Sequence, residues 1–170
     1  VTAIRLEPLR PDHRAVWEEL ILDPDVQRFT SVPEPLPPGY VEEWMARYEE
    51  GRRGGTREAF LVLDVHGGQA LGIGVAIGID RPGRTVELGY AVLPGARGRG
   101  VATATLLAMT AWARSELGAI RVELRIDPAN EASKRVAERC GFEREGVLRA
   151  MPIKPGRWGD LEVWSLVAGG

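Results

Sequence analysis

Residues 86–112 constrain this chain more than any other stretch. Val86-Glu87-Leu88-Gly89-Tyr90-Ala91-Val92-Leu93 is mostly apolar and β-prone, with no breaker until Pro94. Pro94-Gly95-Ala96-Arg97-Gly98-Arg99-Gly100 follows, a turn holding three glycines and two arginines. Residues 101–112 are then rich in Ala, Leu and Thr and long enough for a helix. Strand, glycine turn and helix in that order set the unpaired N–H groups of a helix start, and the positive end of its dipole, at the turn. Glycine lets the backbone approach a phosphate closely, and Arg97 and Arg99 add charge. The stretch therefore points to a polyphosphate ligand at the helix start.

Two familiar phosphate loops fail on single residues. Gly95 and Gly100 have the glycine spacing of a Walker loop, but Val101 stands where lysine is required. Gly98-x-Gly100 opens a dinucleotide fingerprint, but Thr103 occupies the third glycine. What does fit is Arg97-x-x-Gly100-x-Ala102. That pattern resembles the Arg/Gln-x-x-Gly-x-Gly/Ala signature of the GNAT superfamily of N-acetyltransferases, which bind acetyl-coenzyme A.

A chain of 170 residues is expected to form one domain over residues 1–170, with a sizeable core. Its net charge of −2 argues against a dedicated nucleic-acid binder. One cysteine, Cys140, excludes an internal disulfide framework and a cysteine zinc site. His13 and His66 are too few and too scattered for a triad or a metal cluster, so no metal is expected. No apolar run reaches membrane-spanning length and no basic-then-apolar leader opens the sequence, which makes the cytoplasm the default and a membrane partner unexpected.

The remaining segments read in order. Residues 3–9 alternate as an opening strand. Pro11 suits the first turn of a helix to Leu22, with Val16, Trp17, Leu20 and Ile21 on one face. Residues 23–38 hold five prolines and read as an irregular loop. Residues 39–53 form a second amphipathic helix, with Tyr40, Trp44, Met45 and Tyr48 at helical spacing. Three strands over 59–65, 70–80 and 85–93, joined by hairpin-like turns, make an antiparallel meander. A break at Pro94 and Gly95 is expected to splay the last of them from its neighbour, freeing backbone groups for an extended ligand. A strand over 121–126 and a helix over 131–140 follow, with Asn130 as N-cap and Gly141 as stop. Residues 142–150 resume extended structure, a Pro/Gly loop intervenes, and 161–167 make the last strand.

This order also resembles the GNAT fold, an α+β (α/β three-layer) arrangement in which helices flank a mixed, mainly antiparallel central sheet. A second motif sharpens the resemblance: Asn130-Glu131-Ala132-Ser133, continuing to Gly141-Phe142, is similar to the family's Asn-x-x-Ser/Ala…Gly-Phe helix. Glu145-Gly146-Val147-Leu148-Arg149, followed by Trp158-Gly159-Asp160, resembles the RimJ/RimL branch, which acetylates ribosomal-protein N-termini and small amines.

The resemblance implies roles. The pyrophosphate of acetyl-CoA rests on the backbone of Arg97, Gly98, Arg99, Gly100, Val101 and Ala102, with Thr103 adding a hydroxyl. Pantetheine pairs with the backbone of Ala91, Val92 and Leu93, and the Val92 N–H faces the thioester carbonyl. Asn130 and Ser133 line the channel, and Arg135 reaches the nucleotide end. Glu87 is the base and Ser133 the proton donor or hydrogen-bond partner of the sulfur. A homodimer is compatible with the family.

Two departures stand out. Ala137 occupies the position of the family's acidic tyrosine, and Pro152 that of the RimL-type glutamate. The expected function is acetyl transfer to an amine by direct attack, with a non-catalytic acyl-CoA-binding or sensing module as the alternative. Ten acids against three arginines give residues 12–50 a net charge of −7. In the GNAT fold this segment walls the acceptor side, so a cationic acceptor is expected, with Asp23, Asp25 and Glu34 as its contacts.

Overall fold

The computed structural model describes residues 2–169. Seven strands form a sheet in the order β1-β2-β3-β4-β5-β7-β6. They are β1 (Ile4–Pro8), β2 (Glu58–Asp64), β3 (Ala70–Asp80), β4 (Thr85–Val92), β5 (Arg121–Ile126), β6 (Glu143–Lys154) and β7 (Arg157–Val167). Every pairing is antiparallel except β4 with β5. A parallel pair needs a long crossover, and helix α4 (Val101–Leu117) supplies it.

Helix α4 and α5 (Glu131–Arg139) cover one face. Leu106, Met109, Val136 and Ala137 pack there on Val86, Leu88, Val122 and Leu124. The other face carries α1 (Arg14–Ile21), α2 (Pro24–Phe29) and α3 (Tyr40–Gly54). Trp17, Leu20, Trp44 and Tyr48 meet Leu61, Leu63 and Ile73 there. Trp17 stacks on Trp44 at 4.3 Å between ring centroids, and Trp44 meets Tyr48 at 4.2 Å, so these aromatics are core. Contacts of this kind add about 0.5–1.5 kcal/mol each beyond the area they bury. Buried on both faces, β2 reads as an unbroken apolar run rather than an alternating one.

The structure corrects three expectations. Residues 24–29 are the helix α2, not loop. The Asp23 carboxylate accepts from the N–H groups of Asp25 and Val26 at 3.1 Å each, and Pro24 has the fixed φ that suits a first helical position. The Pro/Gly loop after Ala150 shrinks to the turn at Pro155 and Gly156, because β6 continues to Lys154 and β7 begins at Arg157. Pro152 is tolerated there because β6 is the sheet's edge strand. Finally, β4 and β5 pair over Thr85, Val86 and Glu87 and then part. The fork thus opens well before Pro94.

One long-range contact shapes the open side of the molecule. Lys154, at the tip of the β6–β7 hairpin, is buried and its Nζ donates to the Gln27 carbonyl of α2. The hairpin tip is thereby fastened onto α2, across the sheet from α4.

Candidate active site

The fork between β4 and β5 has a definite polarity. Leu93 N–H donates to the Leu71 carbonyl on β3 at 2.9 Å. Antiparallel strands alternate their bonding direction. Ala91, in register with Ile73, therefore turns its polar groups to β3 like Leu93, while Tyr90 and Val92 turn theirs into the fork. Of the three residues expected to pair with pantetheine, Val92 is the one whose N–H faces the opening. Ala91 and Leu93 instead contribute apolar side chains packed toward α1–α3.

Below the fork, the glycine turn ends in the N-terminus of α4. Gly100 is its N-cap at φ +77°, with no side-chain cap among the described residues. Gly98 has φ +73°, and a Cβ at either glycine would meet nothing within 4 Å. Both therefore combine a left-handed backbone, which disfavours side chains, with open space on the outer side. The N–H groups of Val101, Ala102 and Thr103 lie in the first turn of a 17-residue helix, where the dipole is most positive. Arg99 is exposed and borders a cleft with Glu19 and Ala96.

Arg97 does not stand free for a phosphate. Its guanidinium lies 2.7 Å from Asp23 Oδ1 and 3.3 Å from Asp25 Oδ2, and its Nε donates to the Val92 carbonyl at 3.2 Å. The one guanidinium thus holds both Asp23 and Asp25 at the glycine turn, leaves the trio a net negative charge, and leaves Asp25 largely exposed. Burial pushes the Asp23 carboxyl up, but Arg97 and the N–H groups of Val26 and Asp25 outweigh it and hold it below its ordinary value. Asp23→Ala removes both cap and ion pair, and is expected to cost about 0.5–2 kcal/mol. Asp23→Asn keeps the cap. A depressed folded pKa adds stability above the unfolded value and loses it as pH falls, so the difference in Tm between wild type and Asp23→Asn should shrink in acid. Thermal melts of the three proteins at neutral and acid pH measure it.

Glu87 is the last β4 residue paired with β5, which sets it at the fork's apex on the α1–α3 side. Its Oε2 lies 3.1 Å from Arg125 Nε, and its side chain is 22% exposed. Burial raises its carboxyl pKa, Arg125 opposes the rise, and Glu123 adds to it. Beside it opens a cleft lined by Glu123, Arg125, Glu145, Gly146 and Val163.

On the opposite side of the sheet, Asn130 caps α5, its Oδ1 accepting from Ser133 N–H at 3.1 Å. The motif thus brings Ser133 and Asn130 together at the start of α5. Arg135 is exposed on the outer surface of that helix. Cys140 is buried with its Sγ 3.7 Å from the Thr103 carbonyl, a packing role. Tyr90 is a residue the sequence reading passed over. Its side chain packs into the core beneath the fork, and its hydroxyl is buried with no hydrogen-bond partner among the described residues. The available signal was its place as the one hydroxyl in the strand of residues 86–93.

A family profile described as an acetyltransferase (GNAT) domain matches residues 3–143. Over 84 residues the chain is 33% identical to an uncharacterized N-acetyltransferase, YoaA, of Bacillus subtilis (strain 168), a stretch making up 49% of this chain and 48% of the relative. The chain thus matches about half the length of the first curated relatives. Among solved structures, RimL, a ribosomal L7/L12 alpha-N-protein acetyltransferase in complex with coenzyme A, superposes with a TM-score of 0.85 at 19% identity, covering 99% of this chain and 96% of that one. A spermidine N-acetyltransferase from Vibrio cholerae, in complex with CoA and spermine, does so at 0.82 and 20% identity, covering 96% and 95%. At these identities the structures share the fold.

Proposed function

The chain belongs to the acetyltransferase (GNAT) family, and on that premise we propose that it is an acetyl-CoA-dependent N-acetyltransferase acting on an amine by direct attack. One observation carries the reading: a strand fork with an inward Val92 N–H opens beside an uncapped helix start flanked by left-handed glycines. An extended ligand with an anionic end fits both at once. Val101, Ala102 and Thr103 offer backbone donors to the pyrophosphate, while Val92 offers one to the thioester oxygen, where negative charge develops. Acetyl-CoA supplies the activated acyl group and a thiol leaving group. Glu87, its carboxyl pKa raised by burial, takes the amine's proton, and the Ser133 hydroxyl hydrogen-bonds the sulfur.

The acceptor enters from the side built by α1, α2 and the β6–β7 hairpin. The named neighbours act on a protein α-amine in one case and on spermidine in the other. An α-amine has an ordinary pKa of about 7.7–8.0 against about 10.4 for lysine, so a single buried carboxylate suffices to deprotonate it. We favour an α-amine or a comparably weak base on a cationic molecule. With Asp23 buried against Arg97, exposed Glu34 and Asp25 are the acids of the three left to meet it. Turnover of a basic peptide, spermidine and an acidic peptide is the test. The basic peptide should react best, its kcat/KM falling as salt shortens the Debye length to about 8 Å at 0.15 M and falling again in Glu34→Gln. A preference for the acidic peptide, or flat salt dependence, would remove the electrostatic part of the proposal.

A further inference from the structure

We propose that Arg125 determines which amine is acetylated: its guanidinium takes the carbonyl oxygen beside an α-amine while Glu87 takes the amine itself, so that the acceptor is an α-amino carbonyl compound such as a peptide N-terminus. The inference rests on the acetyl-transfer reading and deepens it. Val122, Leu124 and Ile126 of β5 are buried in the core beneath α4 and α5. The pleat therefore turns Arg121, Glu123 and Arg125 to the opposite face, where Glu87 stands. Glu87 and Glu123 are directly in register there, and Arg125 Nε lies 3.1 Å from Glu87 Oε2. Arg121 is committed elsewhere. Its Nε lies 2.5 Å from Glu123, and its two Nη groups donate to the two oxygens of Glu145 at 2.8 and 2.6 Å. Arg125 has Glu87 as its one ion-pair partner among the described residues, and its side chain is 37% exposed. It also lines the cleft of about 410 Å³ that opens beside Glu87, a size suited to a small ligand. The cleft floor runs from Arg125 to Val163 and on to Gly146, in register across β7 and β6. At Gly146 a Cβ would meet nothing within 4 Å, so the floor ends in open space.

The spacing of the two charged groups selects the ligand. In an α-amino carbonyl unit the N–Cα, Cα–C and C=O bonds set nitrogen and oxygen about 3 Å apart. A carboxylate and a guanidinium 3.1 Å apart meet such a pair side by side. Glu87 accepts from the amine N–H, and Arg125 donates to the carbonyl oxygen. Arginine carries its N–H donors in a fixed plane, so a contact with Glu87 through Nε leaves the Nη donors for the ligand. A polyamine has no oxygen to offer, and its next nitrogen is cationic, so it meets Arg125 as a like charge. Attraction of one acceptor and repulsion of the other thus come from the same side chain. Basic residues further along a peptide are separated from Arg125 by the intervening chain.

The test is selectivity. The kcat/KM, referred to the unprotonated amine, is measured for a basic peptide with a free α-amine, for the same peptide with its first carbonyl reduced to methylene, and for spermidine. Wild type should favour the parent peptide over each of the others by about 10- to 100-fold, the range of one hydrogen bond to a charged group. Arg125→Met keeps the length of the side chain and removes its donors. In that variant each ratio should fall to about threefold or less. Losing the ion pair to Glu87 slows every amine alike, so the ratio isolates the contact with the carbonyl. Unchanged affinity for CoA shows that the variant is folded. A variant that slows all three substrates by one factor overturns the proposal and leaves the transferase reading intact. So does a wild type that takes the reduced peptide as readily as its parent, a comparison that needs no variant. A wild type that binds CoA but turns over no amine overturns the reading itself, and with it the role given to Arg125.

Discussion

Gly100→Val should lower the affinity for coenzyme A by about 100-fold or more, a loss of about 2.8 kcal/mol, in a protein that still folds. Two properties of the position combine. At φ +77° a side chain is strained, and a β-branched one most of all. The strain of about 1–2 kcal/mol should lower Tm by about 2–8 °C, well short of unfolding. The larger effect comes from where the Cβ points. It meets no protein atom within 4 Å, so it projects into the space from which an anion must reach the first-turn amides of α4. Gly118, at the other end of the same helix, separates the two effects. It has φ +63° and caps the C-terminus of α4, far along the helix from the glycine turn. Gly118→Val should lose comparable stability and leave CoA affinity unchanged. Calorimetry on both variants decides: equal affinities in the two would show that the turn does not hold the cofactor.

The second large effect is expected at Glu87. Glu87→Gln should lower kcat by about 100-fold, the low end of what general base catalysis supplies. Its stability should move the other way. A carboxyl whose folded pKa is raised adds stability below its unfolded value and loses it as pH rises through the folded value. The ionised form of Glu87 therefore opposes folding, partly compensated by Arg125. The amide variant should melt no lower than wild type at neutral pH. In wild type, kcat/KM should climb with pH as Glu87 ionises and again as the amine loses its proton. In Glu87→Gln only the second rise should remain. A variant with wild-type kcat and an unchanged pH profile would remove Glu87 from the chemistry.

Much of this layout was legible in the residues because local rules and tertiary demands agree. Ala102, Gly100 and Arg97 spell a turn whose geometry requires left-handed glycine, and the structure has it. Asn130 reads as a cap and caps α5. What the sequence hid was decided by contacts between distant segments. A run of prolines masked α2, whose start depends on the Asp23 side chain and whose place depends on Arg97 and Lys154. No sequence pattern reveals that the Arg97 guanidinium is held by two aspartates 74 and 72 residues away. Pro94 drew the strand break to itself, although the pairing ends at Glu87 through the divergence of β5. Tyr90 read as one more β-former, since burial without a hydrogen-bond partner is a property of packing and not of composition.

The most direct measurement is release of free thiol from acetyl-CoA by the wild-type protein, with and without a basic peptide bearing a free α-amine. The account predicts slow release without the peptide, release that rises and saturates with peptide concentration, and one acetylated α-amine for each thiol formed. Tight binding of acetyl-CoA with no amine-dependent release from any acceptor would contradict it, and would leave a fold that holds the cofactor without using it.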